Sequence, residues 1–205
     1  MTQMDQWAAG VYIRERRIVC VVGKINTSNT QTVGGKVIPH VDDTSAFSVE
    51  DTDCSEKSPR IALEECATKL RNIAKGNDLN LVAVHIACFG SFKSLSPIDK
   101  NRGDSSTYGI LTGVSAYPKE WGNLNIYRTF HDILNRNDEG IVINVGTDVD
   151  AAAYGEFLSV ARTREDPVNF LKDSTLACIN FSRTINIGFV SGLNNWVGAA
   201  HPNLS

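Results

Sequence analysis

The sequence predicts an α/β fold built around a mixed sheet. Three observations carry this. Short apolar runs bounded by turn residues recur along the chain and read as strands. Between them lie longer stretches with apolar residues at spacings of three and four, which read as amphipathic helices. The order is strand, strand, strand, helix, strand, helix, strand, helix, strand, strand. Such an order mixes antiparallel hairpins with helical crossovers.

Each element follows from its residues. Residues 11–13 and 18–22 are apolar and flank Arg14, Glu15, Arg16 and Arg17, so they read as a hairpin with a charged turn. Residues 26–34 are turn-rich, residues 35–41 suit a third strand, and the acidic stretch 42–58 reads as a loop. A helix comes next, capped by Ser58 with Pro59 in its first turn. Its stripe is Leu63, Cys66, Ala67, Leu70, Ile73 and Ala74, and Gly76 ends it. Residues 81–88 (LVAVHIAC) read as a buried strand. Residues 89–125 are rich in Gly, Ser and Pro and form a long irregular segment of the kind that often carries function. A short helix at 126–134, a buried strand at 141–145 and a helix at 151–162 come next. A second hairpin, 176–181 with 185–190, then reads as the start of a second domain. This reading gives one domain over 1–165 and a remnant of another over 166–205.

Composition removes several classes of function. The net charge is −3 and the pI about 5.8, which argues against a nucleic-acid partner. No apolar stretch approaches the ~20 residues of a membrane span, and residues 1–9 do not resemble a signal peptide. The five cysteines form no C-x-x-C, and Cys20, Cys88 and Cys178 lie in apolar runs. Reduced thiols in a cytoplasmic protein are expected.

The most informative stretch is 141–156 (IVINVGTDVDAAAYGE). It places a carboxylate just beyond a buried strand and just before a helix. Ligands of open α/β sheets bind beyond the carboxyl ends of strands, where a carboxylate can act as a general base. Spacing alone favours the plainer role, in which Asp148 or Asp150 caps the helix.

This stretch resembles the D-T-D-V-N-A-A-A-x-G-E segment of the bacterial-type fructokinases in the ROK sugar-kinase family. Further segments agree in order. Residues 86–90 (IACFG) with 96–99 (SPID) resemble a split S-F-G-P-I-D. Residues 106–110 (STYGI) resemble S-P-T-Y-G-x-I, and 117–123 (YPKEWGN) resemble T-P-K-x-x-W-x-N. The resemblance spans roughly residues 8–203. It implies an actin-like ATPase (ribonuclease H-like) fold, with Asp148 as the base that deprotonates a sugar hydroxyl. It further implies that Phe89, Gly90, Lys119, Trp121 and Asn123 line the sugar pocket. Asp150 stands where the family has Asn, and Glu156 on the following helix reads equally as a solvated residue.

The main departures from the family concern ATP. Arg14 to Arg17 replace the glycines of the first phosphate loop, whose lack of side chains lets backbone approach phosphate. Residues 180–188 (NFSRTINIG) occupy the second loop and keep one glycine. His201 matches the first ligand of the family's zinc segment, but no second His or C-x-x-C comes after it, so no zinc is expected. Residues 91–95 insert into the sugar-side loop. The sequence therefore leaves three classes open: a fructokinase-like protein with a degraded ATP site, an ATP-independent enzyme using Asp148 as acid or base, and a pseudokinase, sugar sensor or partner subunit. ATP–magnesium is expected only if kinase activity survives. The expected ligand is small and carbohydrate-like, held between the 89–123 segment and Asp148. The second hairpin and the apolar tail 196–200 suggest a homo-oligomer, most simply a dimer.

Overall fold

In a computed structural model, residues 5–14, 16–33, 36–54, 57–93, 107–112, 119–181, 185–192 and 194–195 are described. Outside them lie the Ser96–Asp99 motif, part of the 91–95 insert, Tyr117, Pro118, residues 182–184, the 196–200 tail and His201.

The first strands are β1 (Gln6–Ile13), β2 (Arg17–Val33) and β3 (Lys36–Asp53). β1 and β2 form the expected hairpin, with Ile13 opposite Ile18. Its turn is closed by a bond from Arg14 N to Arg17 O at 2.9 Å. The turn expected at 26–34 and the loop expected at 42–58 are largely strand instead. Hydrogen bonding to β2 orders β3 at the edge of the sheet, and such ordering leaves no mark in side-chain periodicity. Glu50, Asp51 and Asp53 are exposed, which suits an edge.

Helix α1 (Pro59–Gly76) begins and ends where the sequence places it. Ser58 Oγ accepts from Ile61 N–H, and the expected stripe is buried apart from the half-buried Ile73. The chain leaves α1 through Asn77 and then Asp78, whose φ of 51° suits a short polar residue. β4 (Asn80–Cys88) runs parallel to β1. The short strands β5 (Ser91–Phe92) and β6 (Leu111–Thr112) pair with each other. Helix α2 (Ile126–Leu134) comes next, with Asn125 as its cap, and then β7 (Val142–Thr147). The main sheet has the order β3-β2-β1-β4-β7, so it is mixed as expected. Its inward residues, among them Val11, Ile13, Cys20 and Ile86, share one core with α1 and α2.

The remaining elements are α3 (Asp148–Arg162), α4 (Pro167–Asp173), β8 (Thr175–Phe181), β9 (Ile185–Ser191) and β10 (Asn194–Asn195). The sequence predicts neither α4 nor β10, each being too short to show periodicity. By compactness the chain forms two units, residues 1–26 with 41–146 and residues 27–40 with 147–205. A boundary at 165/166, as the sequence suggests, keeps α3 with β7 and the elements before it. Packing instead groups α3 with α4 and β9, because Ala153, Phe157 and Ala161 share a core with Leu171 and Val190. No helix among the described residues is long and apolar enough to cross a membrane.

Candidate functional site

The β7–α3 junction is built by local hydrogen bonding. Thr147 has extended backbone, φ −76° and ψ 155°, and is the cap of α3. Its Oγ1 accepts from Asp150 N–H at 3.2 Å and donates to Asp150 Oδ2 at 2.7 Å. Asp150 is only 4% exposed, so its carboxylate is turned inward to the cap. The capping role that spacing offers to Asp148 or Asp150 thus belongs to Thr147. The T-x-x-D spacing of 147–150 is close to a capping box and is the sequence signal for it.

Asp148, in the first turn, is thereby released from capping. Its Oδ1 accepts from Val149 N–H at 2.9 Å, and the side chain is half-buried. Burial pushes its carboxyl above the ordinary value. The Val149 N–H opposes that shift, and the neighbouring Asp150 carboxylate adds to it. A carboxyl with raised affinity for its proton, at the end of a strand, is suited to acid–base work.

The one glycine retained in 180–188 is held against this same turn. A Cβ on Gly188 would lie 2.3 Å from Val149 O and 3.1 Å from Asp150 N. Only glycine permits β9 to approach α3 so closely.

Of the residues expected to line a sugar pocket, Phe89 and Trp121 meet. Their rings are edge-to-face at 5.2 Å and 75°. Both are buried, Trp121 to 1% exposure, so the pair is core packing and offers almost no surface to a ligand. Gly90 has φ 84°, a conformation that glycine adopts without strain, and turns the chain into β5. Lys119 is exposed in a 3₁₀ turn, Lys119–Trp121. Asn123 has φ 64°, and its N–H bonds Leu111 O at 3.0 Å. It opens onto a groove of about 730 Å³ along α1 and α2, with Arg60, Glu64, Arg128 and Asp132 on its walls. Phe89, Gly90, Lys119, Trp121 and Asn123 belong to the first unit, and Asp148 and Asp150 to the second. Glu156 is exposed on α3.

Tyr108, which in the sequence is only part of a motif, has a structural role. Its hydroxyl oxygen accepts from Val145 N–H at 3.1 Å, and its ring is edge-on to Tyr127 at 4.7 Å. Gly109 beside it has φ 72°, and an added Cβ would lie 2.5 Å from Tyr127 Cβ.

The turn between β1 and β2 holds side chains where the resemblance places a phosphate loop. The Arg14 guanidinium lies over the Tyr12 ring at 4.8 Å. Arg17 pairs with Asp51 at 3.4 Å, and Arg16 O accepts from Cys54 N–H at 2.7 Å.

Comparison with models of known families and with curated proteins found no match. Solved structures do match. A ROK hexokinase from Thermus thermophilus aligns with TM-score 0.50 and 15% identity, over 95% of this chain and 50% of that one. A ROK family transcriptional regulator, a homolog of the E. coli MLC protein, aligns with TM-score 0.55 and 13% identity, over 97% of this chain and 40% of that one. The chain thus spans half or less of the length of these neighbours. At such identities the likeness is one of fold, and the fold is the actin-like ATPase fold of ROK type.

Proposed function

We propose that this chain binds a small polyhydroxylated ligand through a site derived from the ROK sugar pocket and does not phosphorylate it efficiently with ATP. The observation that carries the reading is the β7–α3 junction. Thr147 caps the helix, which leaves Asp148 half-buried with a raised carboxyl pKa at the end of a strand. In this reading Asp148 receives a ligand hydroxyl, and Gly90, Lys119 and Asn123 of the first unit keep only the role that the resemblance implies for them. Phe89 and Trp121 act from beneath by fixing the segments that carry them, and Asp150 acts by fixing the turn.

The residues do not fit a phosphate cradle. The β1–β2 turn holds arginines engaged with Tyr12 and Asp51, and Gly188, within β9, packs directly on the α3 backbone. A cradle needs backbone N–H groups open to phosphate, and phosphoryl transfer depends on that positioning. No zinc and no other resident cofactor is proposed. Cys20, Cys54, Cys66, Cys88 and Cys178 form no disulfide, which suits a reducing compartment such as the cytoplasm.

The raised carboxyl of Asp148 favours a second reading, in which it remains an acid or base in ATP-independent chemistry. The transcriptional regulator of similar fold favours a third, a sensor without catalysis. Thermal shift with a panel of hexoses and polyols, and with ATP–magnesium, tests the proposal. At ~100 times its dissociation constant a ligand stabilises by about 2.7 kcal/mol. A saturable shift with a sugar and none with ATP–magnesium is expected. Saturable stabilisation by ATP–magnesium, with release of a hexose phosphate, would overturn it. Asp148→Asn then separates the readings: it abolishes turnover in an enzyme and lowers affinity only modestly in a sensor.

A further inference from the structure

A cavity of about 320 Å³ lies at the amino ends of β4 and β7, beside the last turns of α1 and α2. It falls within the first unit and contains none of the residues singled out by the resemblance. Its wall is apolar, formed by Leu79, Leu81, Leu134 and Ile141. Its polar side carries Arg71 and Lys75 from α1, with Glu139 and Asp78 from the loops.

These charges are not equivalent. Lys75 is paired with Glu139 at 3.5 Å, and Glu139 also accepts from Asn137 N–H at 2.9 Å. Those contacts hold the Glu139 carboxyl below its usual range, the Asn137 N–H contributing most. Asp78 is exposed to solvent. Arg71 has no ion pair or hydrogen bond among the described residues, and its Nε is shut off from water with no acceptor. The terminal nitrogens of Arg71 carry no bond among the described residues and are not shut off from solvent, so they are open to a ligand in the cavity. The fork of a carboxylate complements a guanidinium better than any neutral group does. The volume lies near the lower end of small-molecule sites, about 300–1,000 Å³.

We propose that this cavity is a second binding site, for a small carboxylate with a short aliphatic body. The carboxylate forks onto the terminal nitrogens of Arg71, and the aliphatic part lies on Leu79, Leu81, Leu134 and Ile141. The proposal is independent of the sugar-site reading, since it shares no residue with it.

The test is calorimetric titration of the full chain with 4-methylpentanoate, and with 4-methylpentanamide as its uncharged counterpart. The carboxylate should bind saturably at about millimolar concentrations. The amide should bind at least ~10-fold more weakly, because it lacks the charge-assisted fork. Arg71→Gln should abolish carboxylate binding, and Lys172→Gln in the second unit should leave it unchanged. In ¹⁵N-labelled wild-type protein the Arg71 side-chain N–H resonances should shift on titration with the carboxylate. That readout holds whether or not Arg71→Gln folds. No saturable heat with the carboxylate, equal binding of the amide, or unmoved Arg71 resonances would overturn the proposal.

Discussion

At the scale of single residues, Asp148 and Trp121 hold contrasting positions, one half-buried at a helix start and one sealed in the core. The carboxyl of Asp148 is raised in the folded chain, chiefly by burial. Its neutral form is therefore the one the fold favours. The favourable contribution is complete below the unfolded-state pKa and is lost as pH rises through the folded value. At neutral pH the folded chain carries a disfavoured charge. Asp148→Asn, which keeps an acceptor for Val149 N–H, should therefore raise stability at pH 7. The gain should shrink toward zero as pH falls below ~4, where the unfolded carboxyl also protonates. Urea unfolding of both forms at several pH values checks this, and a variant less stable at pH 7 would contradict it. Trp121 is a different case. The motif suggests a pocket wall, but its ring is sealed against Phe89. Trp121→Ala should cost about 3–5 kcal/mol of stability. Unfolding that shows a loss under about 1 kcal/mol would show that the ring is not core.

At the scale of elements, what the sequence discloses depends on whether side chains or backbone carry the signal. Helix α1 is legible because its cap, its proline and its apolar stripe are all side-chain features. Helix α2 is legible for the same reason, through Ile126, Phe130 and Leu134. The long β3 is legible only in its first part, 35–41, because the order of the rest comes from backbone pairing at a polar edge. The site is partly legible. Asp148 stands out by its place after a buried strand, but its release from capping duty needs the Thr147–Asp150 geometry. The close approach of β9 to α3 is invisible until Gly188 is seen against Val149 O. Gly188→Ala should separate these elements and cost about 1–3 kcal/mol, as overpacking against backbone does. Thermal unfolding reads that loss, and an alanine variant as stable as wild type would remove the packing role.

At the scale of the whole molecule, the face of the β8–β9 pair that carries Ala177 opposite Phe189 bears on assembly. Ile179 is 52% exposed and Phe189 41%, while α3 packs with Val190 on the other face. We propose that a second copy covers this apolar face in a twofold dimer. Sedimentation at micromolar concentration should return twice the 22.4 kDa chain mass, and the double change Ile179→Lys with Phe189→Lys should return the single mass. A wild-type monomer throughout that range would rule the dimer out.

One calorimetric experiment decides whether this chain binds a sugar without ATP. The protein is titrated with a hexose and polyol panel, and separately with ATP–magnesium, at neutral pH. Saturable heat with at least one sugar, weakened in Asp148→Asn, and no saturable heat with ATP–magnesium are expected. Saturable binding of ATP–magnesium with no sugar bound would contradict the proposed function.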